Sequence, residues 1–219
     1  MKEAWLKTVG LVRGKWAHAQ AKQDFFYLGC HWVIEANVVN PSLISASRVF
    51  AKQAIQVIPD QAKTALDLGT GSGLAAILLA QKGLKVTAVD VSTAALENAR
   101  ANATRNGVEL TLFLSDWDAS IPPGQKFDYV VSNPPYLVDA QDPAFSAGEQ
   151  LKQLLRCYHA VRRRLAPGGQ ALLVSSSWSG RSLVLEHLAA ADLRILQSEK
   201  KFCGNEWLFL DQCEGVPCS

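Results

Sequence analysis

Strand-like and helix-like segments alternate along this chain from Thr64 to Leu210, and no other pattern in it restricts the possible folds as strongly. Short apolar runs predict strands, and the longer amphipathic stretches between them predict helices. The strand-like runs are 65–68, 86–89, 110–114, 127–131, 171–174, 193–200 and 206–210, and the helix-like stretches are 74–81, 92–105, 151–165 and 182–190. Strands that alternate with helices specify a mostly parallel sheet covered on both faces. We therefore expect an α/β fold with a doubly wound, mostly parallel, seven-stranded sheet whose last strand is antiparallel.

The first 60 residues have a different composition. Aromatic and basic side chains are interleaved there: Trp5, Lys7, Arg13, Lys15, Trp16, His18, Lys22, Phe25, Phe26, Tyr27 and Trp32. The pattern predicts a helix, an extended piece over 25–39 and a second helix over 43–57. It fits a cap packed on the sheet edge, and it also fits a flap that offers cations and stacking surfaces to a substrate. We expect an N-terminal helical and extended cap, 1–60, followed by an α/β domain, 61–219.

Composition excludes few classes of partner. The chain has 219 residues, enough for one full core, and its 22 basic and 20 acidic residues give a net charge of +2. This balance neither favours nor excludes nucleic acid, because a local basic patch is compatible with a near-neutral total. The five cysteines form no CxxC pair and no zinc-ligand spacing, so we expect free thiols and no metal site.

The start of the sequence carries Lys2, Glu3 and Lys7 and has no sustained apolar stretch, which argues against a signal peptide. No window approaches the roughly 20 apolar residues of a membrane span. We expect a cytoplasmic protein without membrane contact.

A glycine-rich loop, Gly69-Thr70-Gly71-Ser72-Gly73, follows the first strand of the repeating unit. Parallel sheets bind ligands beyond the carboxyl ends of their strands, and glycine lets a ligand approach the backbone closely. Asp90 closes the next strand, where a carboxylate can accept both hydroxyls of a ribose.

The same loop fits the dinucleotide pattern GxGxxA over 71–76, which makes a nicotinamide-dependent oxidoreductase an alternative. That register begins two residues late and leaves Asp67 unexplained. A carboxylate before the glycines repels a pyrophosphate but suits an ammonium group. The loop therefore favours a nucleotide that carries an amino acid.

Two further strand ends carry distinctive residues. Asp116 and Trp117 follow the third strand, where they can bond an adenine amino group and cover its ring. The fourth strand ends in Asn133-Pro134-Pro135-Tyr136. Proline fixes its own φ and holds the preceding residue extended, so a simple turn is one explanation of this element.

Taken together, Asp67 with the glycine loop, then Asp90, Asp116 and the Asn-Pro-Pro-Tyr element, resemble a class I S-adenosylmethionine-dependent methyltransferase. More narrowly they resemble the small-domain or HemK-type branch, whose members methylate planar nitrogens. The resemblance covers roughly 39–210 and implies a Rossmann-like fold and S-adenosyl-L-methionine as cofactor. The cofactor-binding residues that it implies are Asp67, Gly69, Thr70, Gly71, Gly73, Asp90, Val91, Asp116, Trp117 and Asn133.

The resemblance also assigns roles within that set. The glycines border the methionine part of the cofactor, Asp67 lies near its ammonium group, Asp90 takes the ribose hydroxyls and Asp116 contacts the adenine. The turn Asn40-Pro41-Ser42 resembles a segment that lies over the cofactor pocket in such enzymes.

The catalytic residues implied are Asn133, Pro134 and Tyr136. An amide or exocyclic amino nitrogen is a poor nucleophile, because its lone pair is delocalised. The side-chain oxygen of Asn133 and the carbonyl of Pro134 can accept its two N–H groups, and Tyr136 can stack on the planar group. Positioning and fixed dipoles then supply the catalysis, without a metal or a strong base.

We therefore expect methyl transfer to the side-chain amide nitrogen of a protein glutamine. One alternative is an exocyclic amino group in RNA or DNA, read by the N-terminal segment and by Arg162-Arg163-Arg164, which also fit a solvated helix end. Another is a catalytically silent, cofactor-binding subunit of a methyltransferase complex. Two departures leave the acceptor open: the helical N-terminal domain by which bacterial HemK-type enzymes bind release factors has no counterpart, and 137–143 carries no acceptor-specific motif. The oligomeric state is not predicted.

Overall fold

The structure, a computed structural model, describes residues 22–137, 146–204 and 206–217. The predicted N-terminal helix, with Trp5, Lys7, Arg13, Lys15, Trp16 and His18, lies outside these ranges. So do Cys218 and most of the segment after Tyr136.

Seven strands form one sheet, as the alternating pattern predicts. They are β3 (Thr64–Leu68), β4 (Lys85–Asp90), β5 (Thr111–Leu114), β6 (Phe127–Ser132), β7 (Leu165–Ser176), β8 (Leu193–Cys203) and β9 (Glu206–Gly215). Their order is β5–β4–β3–β6–β7–β9–β8. The last strand, β9, pairs antiparallel with both of its neighbours, as expected. The order reverses beside β3, because β4 lies on one side of it and β6 on the other.

The central strands β3, β4 and β6 are buried on both faces, which explains why they read as continuous apolar runs, whereas the edge strands β5 and β8 are largely exposed. On β3, Ala65 packs into one core, and Leu66 and Leu68 pack into the core on the opposite face. The first core contains α1 (Ser45–Gln56) and α2 (Leu74–Gln81), and α3 (Thr93–Arg105) contributes Ala103. The second core contains α4 (Lys152–Arg164) and α5 (Arg181–Ala190).

The extended piece near the start is an antiparallel hairpin of β1 (Gln23–Tyr27) and β2 (Cys30–Ile34). Leu28 and Gly29 connect the strands with φ of 50° and 78°, the positive values that a two-residue hairpin turn uses. The hairpin packs on α2 and α3 through Cys30, Trp32 and Ile34, all of which are buried. The division into a cap and an α/β domain at residue 60 stays a prediction.

Several element boundaries differ from the sequence pattern. Helix α4 ends at Arg164, and β7 already begins at Leu165, so Pro167-Gly168-Gly169 lies within the strand and does not end the helix. Both β8 and β9 extend beyond their predicted ends. Among the described residues, no helix is long and apolar enough to cross a membrane.

The arginine run at the end of α4 bonds to neighbouring groups of the protein. Arg163 and Arg164 donate to the buried carboxylate of Asp118 at 2.7 and 2.9 Å, and Arg162 donates to the Val216 carbonyl. Burial of Asp118 raises its pKa, but the bonds from both arginines outweigh burial and lower that pKa below its ordinary value. The Arg163 side chain is still 59% exposed, as expected for a solvated helix end, but all three arginines already bond to other groups of the protein.

Candidate functional site

A cavity of about 940 Å³ opens at the carboxyl ends of β3, β4, β5 and β6, beside the reversal of strand order. This is the position at which doubly wound sheets bind their ligands. Its walls include most of the residues predicted from the sequence: Asp67, Gly69, Thr70, Gly71, Asp90, Val91, Asp116, Trp117, Asn133, Pro134 and Tyr136. Gly73 is not among the residues that line it.

Asp67 supplies a buried carboxylate at the end of β3. Its Oδ2 accepts the Thr70 hydroxyl at 2.8 Å, and the residue is only 2% exposed. Burial raises its pKa to about 7, although bonds from Thr70 and the Ala76 N–H oppose the shift. Within the described ranges no lysine, arginine or histidine forms an ion pair with it. The carboxylate therefore suits a cationic group of a ligand.

Asp90 holds the glycine loop from the end of β4. Its Oδ2 accepts the Gly71 N–H and its Oδ1 accepts the Ser92 N–H, both at 2.9 Å. Burial raises the pKa of Asp90, and these bonds reduce the shift. Each carboxylate oxygen can accept a second hydrogen bond, so both remain able to bind ligand hydroxyls. Val91, beside it, is 71% exposed at the cavity rim.

Gly73 has a packing role. Its φ is 88°, and a Cβ at this position would lie 3.0 Å from Ile77 Cδ1 and 3.1 Å from Ala99 Cβ. Any side chain here would force α2 and α3 apart. The third glycine of the loop thus permits the close approach of α3.

Asn133 directly follows β6, and Ser132 of that strand pairs with Leu68 at the end of β3. The Ser132 hydroxyl donates to the Leu68 carbonyl at 2.8 Å, which fixes the two strand ends together. The Asn133 Oδ1 atom is buried and has no hydrogen-bond partner among the described residues. A buried acceptor without a partner costs free energy, so this atom is suited to a donor from a ligand.

Tyr136 forms another part of the same wall and is 8% exposed. Its carbonyl accepts the Ser179 hydroxyl at 2.7 Å, so the loop after β7 fixes the backbone at this end of the Asn-Pro-Pro-Tyr element.

At the end of the cavity beside Asp116 and Trp117, the lining includes two residues of α4 that the motifs do not contain, Gln153 and Arg156. Arg156 of α4 donates to Asp116 Oδ2 at 2.5 Å and to Gln153 Oε1 at 3.1 Å. Trp117 also donates to Gln153, at 3.3 Å. The Asp116 and Arg156 side chains are 58% and 50% exposed. Asp116, expected to be open to an adenine, therefore already has a partner on one oxygen.

The turn at Asn40 covers one side of the cavity through Pro41. The Asn40 Oδ1 atom accepts the Ser42 N–H at 2.8 Å, and the Asn40 side-chain N–H₂ group donates to Gln23 of β1 at 2.5 Å. The hairpin thus fixes the turn expected to lie over the pocket. Apolar side chains complete this wall: Val38, Val39, Ile44 and Phe50.

The sequence motifs therefore did not predict Gln153 and Arg156 as cavity residues. These two lie about forty positions from Asp116 and Trp117 in the sequence. No local signal identifies them, because α4 reaches the cavity only through the packing of the folded sheet. The polar groups of the cavity fit S-adenosylmethionine. The buried Asp67 carboxylate, which has no ion-pair partner among the described residues, lies near the Asp90 carboxylate, which can accept hydroxyls.

Comparisons with known proteins agree with this geometry. A family model described as Methyltransferase small domain matches residues 43–203. The release factor glutamine methyltransferase of Bordetella pertussis is 33% identical over 157 residues, covering 64% of this chain and 57% of that protein. The chain thus spans little more than half the length of that relative.

Solved structures share the fold. The Mtq2–Trm112 complex of E. cuniculi, described as methylating the eRF1 termination factor, matches with a TM-score of 0.61 and 25% identity over 78% of this chain and 96% of that one. The T. thermophilus 16S rRNA N2 G1207 methyltransferase, solved with AdoMet and guanosine, matches with a TM-score of 0.61 and 24% identity over 87% of this chain and 50% of that one. The second likeness shows the fold alone.

These matches confirm the fold and the family that the motifs indicate. The chain belongs to the methyltransferase small domain family, in its HemK-type branch.

Proposed function

We propose that this protein is an S-adenosylmethionine-dependent methyltransferase that modifies the side-chain amide nitrogen of a protein glutamine. The observation that carries the proposal is the buried Oδ1 of Asn133, which has no partner in the described part of the chain and belongs to a residue of the cavity wall. A glutamine side-chain amide, as the methyl acceptor, would donate one N–H to this atom and the other to the Pro134 carbonyl.

Asp67 and Asp90 support the choice of cofactor. When bound, S-adenosylmethionine supplies an electrophilic methyl group on a sulfonium. Asp67, which is buried and forms no ion pair with a described cation, would pair with its ammonium group, and the Asp90 carboxylate would accept the ribose hydroxyls in addition to the backbone N–H groups that it already binds. A dinucleotide would bring a pyrophosphate toward the same buried carboxylate, which disfavours the oxidoreductase alternative.

The acceptor nitrogen is oriented by fixed groups of the protein in this proposal. Asn133 would align one N–H, and the rigid Pro134-Pro135 pair would present a carbonyl to the other. Tyr136 lines the same wall and would lie against the planar amide. The methyl group and the nitrogen are then held in line, which lowers the entropic part of the barrier.

The choice of glutamine over a nucleic-acid base rests on the relatives. The protein from Bordetella pertussis is named a release factor glutamine methyltransferase, and the Mtq2 complex is described as acting on a termination factor. We therefore propose a translation release factor as the acceptor.

The test is transfer of a labelled methyl group by the purified chain. Release factor and total RNA from the same organism are each incubated with labelled cofactor, and the modified residue is located by mass spectrometry. We expect label in the release factor, on a glutamine. The matched control acceptor carries asparagine at that position, and the Asn133→Ala chain measures background.

If label enters RNA and none enters protein, the methyl acceptor is an exocyclic amino group of a base and not a protein glutamine. A chain that binds the cofactor but transfers no methyl group to either acceptor would instead support the silent-subunit alternative.

A further inference from the structure

Three asparagines on one face of α3 and its cap bind the free edge of β2. Asn98, Asn102 and Asn106 are spaced four residues apart, and their backbone partners are His31 and Val33 of β2 and Glu35 just after it, at every second position. Four helical residues advance about 6 Å, and two strand residues advance about 6.6 Å, so the two repeats nearly match. The asparagine ladder, as we call these three residues, takes the place of a third strand beside the hairpin.

Within the described part of the chain, the outer members of the ladder bond to the hairpin, to Glu35 just after it and to their own helix. Asn98 donates to the Val33 carbonyl at 2.7 Å and accepts the Glu35 N–H at 3.4 Å. Asn106 accepts the His31 N–H and donates to the His31 carbonyl, both at 2.9 Å, and also donates to the Asn102 carbonyl.

Asn102 differs because its amide joins the hairpin to the glycine loop. Its Oδ1 accepts the Val33 N–H at 3.0 Å, and its Nδ2 donates to the Ser72 carbonyl at 3.0 Å. Arg105 also donates to Oδ1, at 3.2 Å. Two donors on Oδ1 fix which end of the amide is oxygen, so the N–H₂ group must face Ser72. The side chain is fully buried, at 0% exposure.

The bond from Asn102 holds the loop at Ser72, whereas bonds from β4 hold the three residues before it. Val89 accepts the Gly69 and Thr70 N–H groups, and Asp90 accepts the Gly71 N–H. Those bonds come from β4, whereas Asn102 bonds from α3, one helical turn beyond the close contact of Ala99 with Gly73. The loop is thereby fixed between β4 and α3.

We propose that Asn102 is a positioning residue for cofactor binding. It holds the Ser72 carbonyl, and with it the glycine loop, in the conformation that lines the cavity, and it makes the hairpin part of this support. The inference rests on the proposed function only for the identity of the cofactor. Without this bond the loop must be ordered when the ligand binds, and that cost weakens binding.

The experiment compares Asn102→Ala with Asn98→Ala, a matched buried member of the same ladder that does not reach the loop. Both variants lose bonds to the hairpin. We expect Asn102→Ala to raise the Kd for S-adenosylhomocysteine at least about fivefold, the lower end of the range for an unpaired buried carbonyl. Asn98→Ala should remain within about twofold of wild type, because its partners lie away from the loop.

Hydrogen exchange without any cofactor gives a second readout. The amides of Gly69, Thr70 and Gly71 should exchange faster in Asn102→Ala than in wild type, and at the wild-type rate in Asn98→Ala. If both variants change the Kd and the loop exchange equally, or if neither does, Asn102 only supports the hairpin and the inference is wrong. A wild-type chain that binds no S-adenosylhomocysteine would contradict the proposed function, while loop exchange would still decide the role of Asn102.

Discussion

The two ends of the cavity are built in opposite ways. At the end formed by Asp67 and Asn133, polar atoms are buried, and a carboxylate without a cation lies in the same cavity as an amide oxygen without a partner among the described residues. At the end formed by Asp116 and Trp117, the side chains are already bonded to Arg156 and Gln153 of α4, and the ion pair there is half-exposed. The first end keeps its hydrogen-bonding capacity for a ligand, and the second is largely satisfied without one.

This difference indicates where binding energy and catalysis are concentrated. A buried polar group without its partner costs more than an exposed ion pair gains, about 1–3 kcal/mol against about 0–1 kcal/mol. Substitutions at the buried end should therefore have large effects, and substitutions at the exposed end should have small ones.

The largest effect is expected for Asn133→Ala. This change removes the buried oxygen that we assign as hydrogen-bond acceptor for the substrate N–H. The kcat for methyl transfer should therefore fall by about 100-fold or more, as for other preorganised polar contacts to a transition state. The resemblance also counts Asn133 among the cofactor-binding residues, but we assign its Oδ1 atom to the substrate. The other cofactor contacts come from the ends of β3, β4 and β5, so the Kd for S-adenosylmethionine should be almost unchanged. Single-turnover kinetics and calorimetry measure the two quantities. Near-normal turnover would make the Asn-Pro-Pro-Tyr element a structural turn.

Asp67→Asn should give the next largest effect, and it should act on binding. A bond to a charged group contributes about 1.5–3 kcal/mol, so cofactor binding should weaken by that amount above pH 7. The raised pKa of about 7 also predicts a pH dependence. In the free protein the carboxyl is protonated below this pH, whereas an ammonium ligand requires its ionised form.

Cofactor affinity should therefore rise as pH increases toward and through about 7, and binding near or below that pH should release a proton. Calorimetry in buffers of different ionisation enthalpy measures this release. The amide that Asp67→Asn introduces cannot titrate, so the released proton should disappear in this variant. Proton release that persists in the variant would assign the titration to another group.

Asp90→Ala should weaken cofactor binding by about 1–3 kcal/mol, because the ribose hydroxyls and the Gly71 N–H both lose their acceptor. Asp90→Asn is the matched control, since it retains an acceptor oxygen of the same size and should recover part of the loss. Equal affinity in Asp90→Ala and wild type would remove Asp90 from the ribose site.

The smallest effect is expected for Arg156→Ala. The pair with Asp116 is half-exposed, so its loss should change stability and cofactor affinity by less than about 1 kcal/mol, and the change should vanish at high salt. Thermal unfolding and binding titrations at two salt concentrations measure this. A loss as large as that of Asp67→Asn would show that the two ends of the cavity are equivalent, against the comparison above.

Local sequence was enough to predict the sheet and most of the residues that line the candidate cavity. Strands such as β3 and β6 are buried on both faces, so their apolar runs are visible without any knowledge of neighbours. The glycine loop, Asp90 and the Asn-Pro-Pro-Tyr element are likewise local, because each lies at the end of its own strand or follows directly from it.

The support of that site depends on tertiary packing and could not be predicted. Gly73 reads as part of a ligand loop, yet it allows α3 to approach, and Asp116 is bonded to an arginine forty positions away. Asn102 reads as an ordinary helical residue, and its amide connects the hairpin to the loop. The physical reason is that these contacts join elements distant in sequence, and their distances depend on how helices pack across the sheet, which local periodicity does not specify.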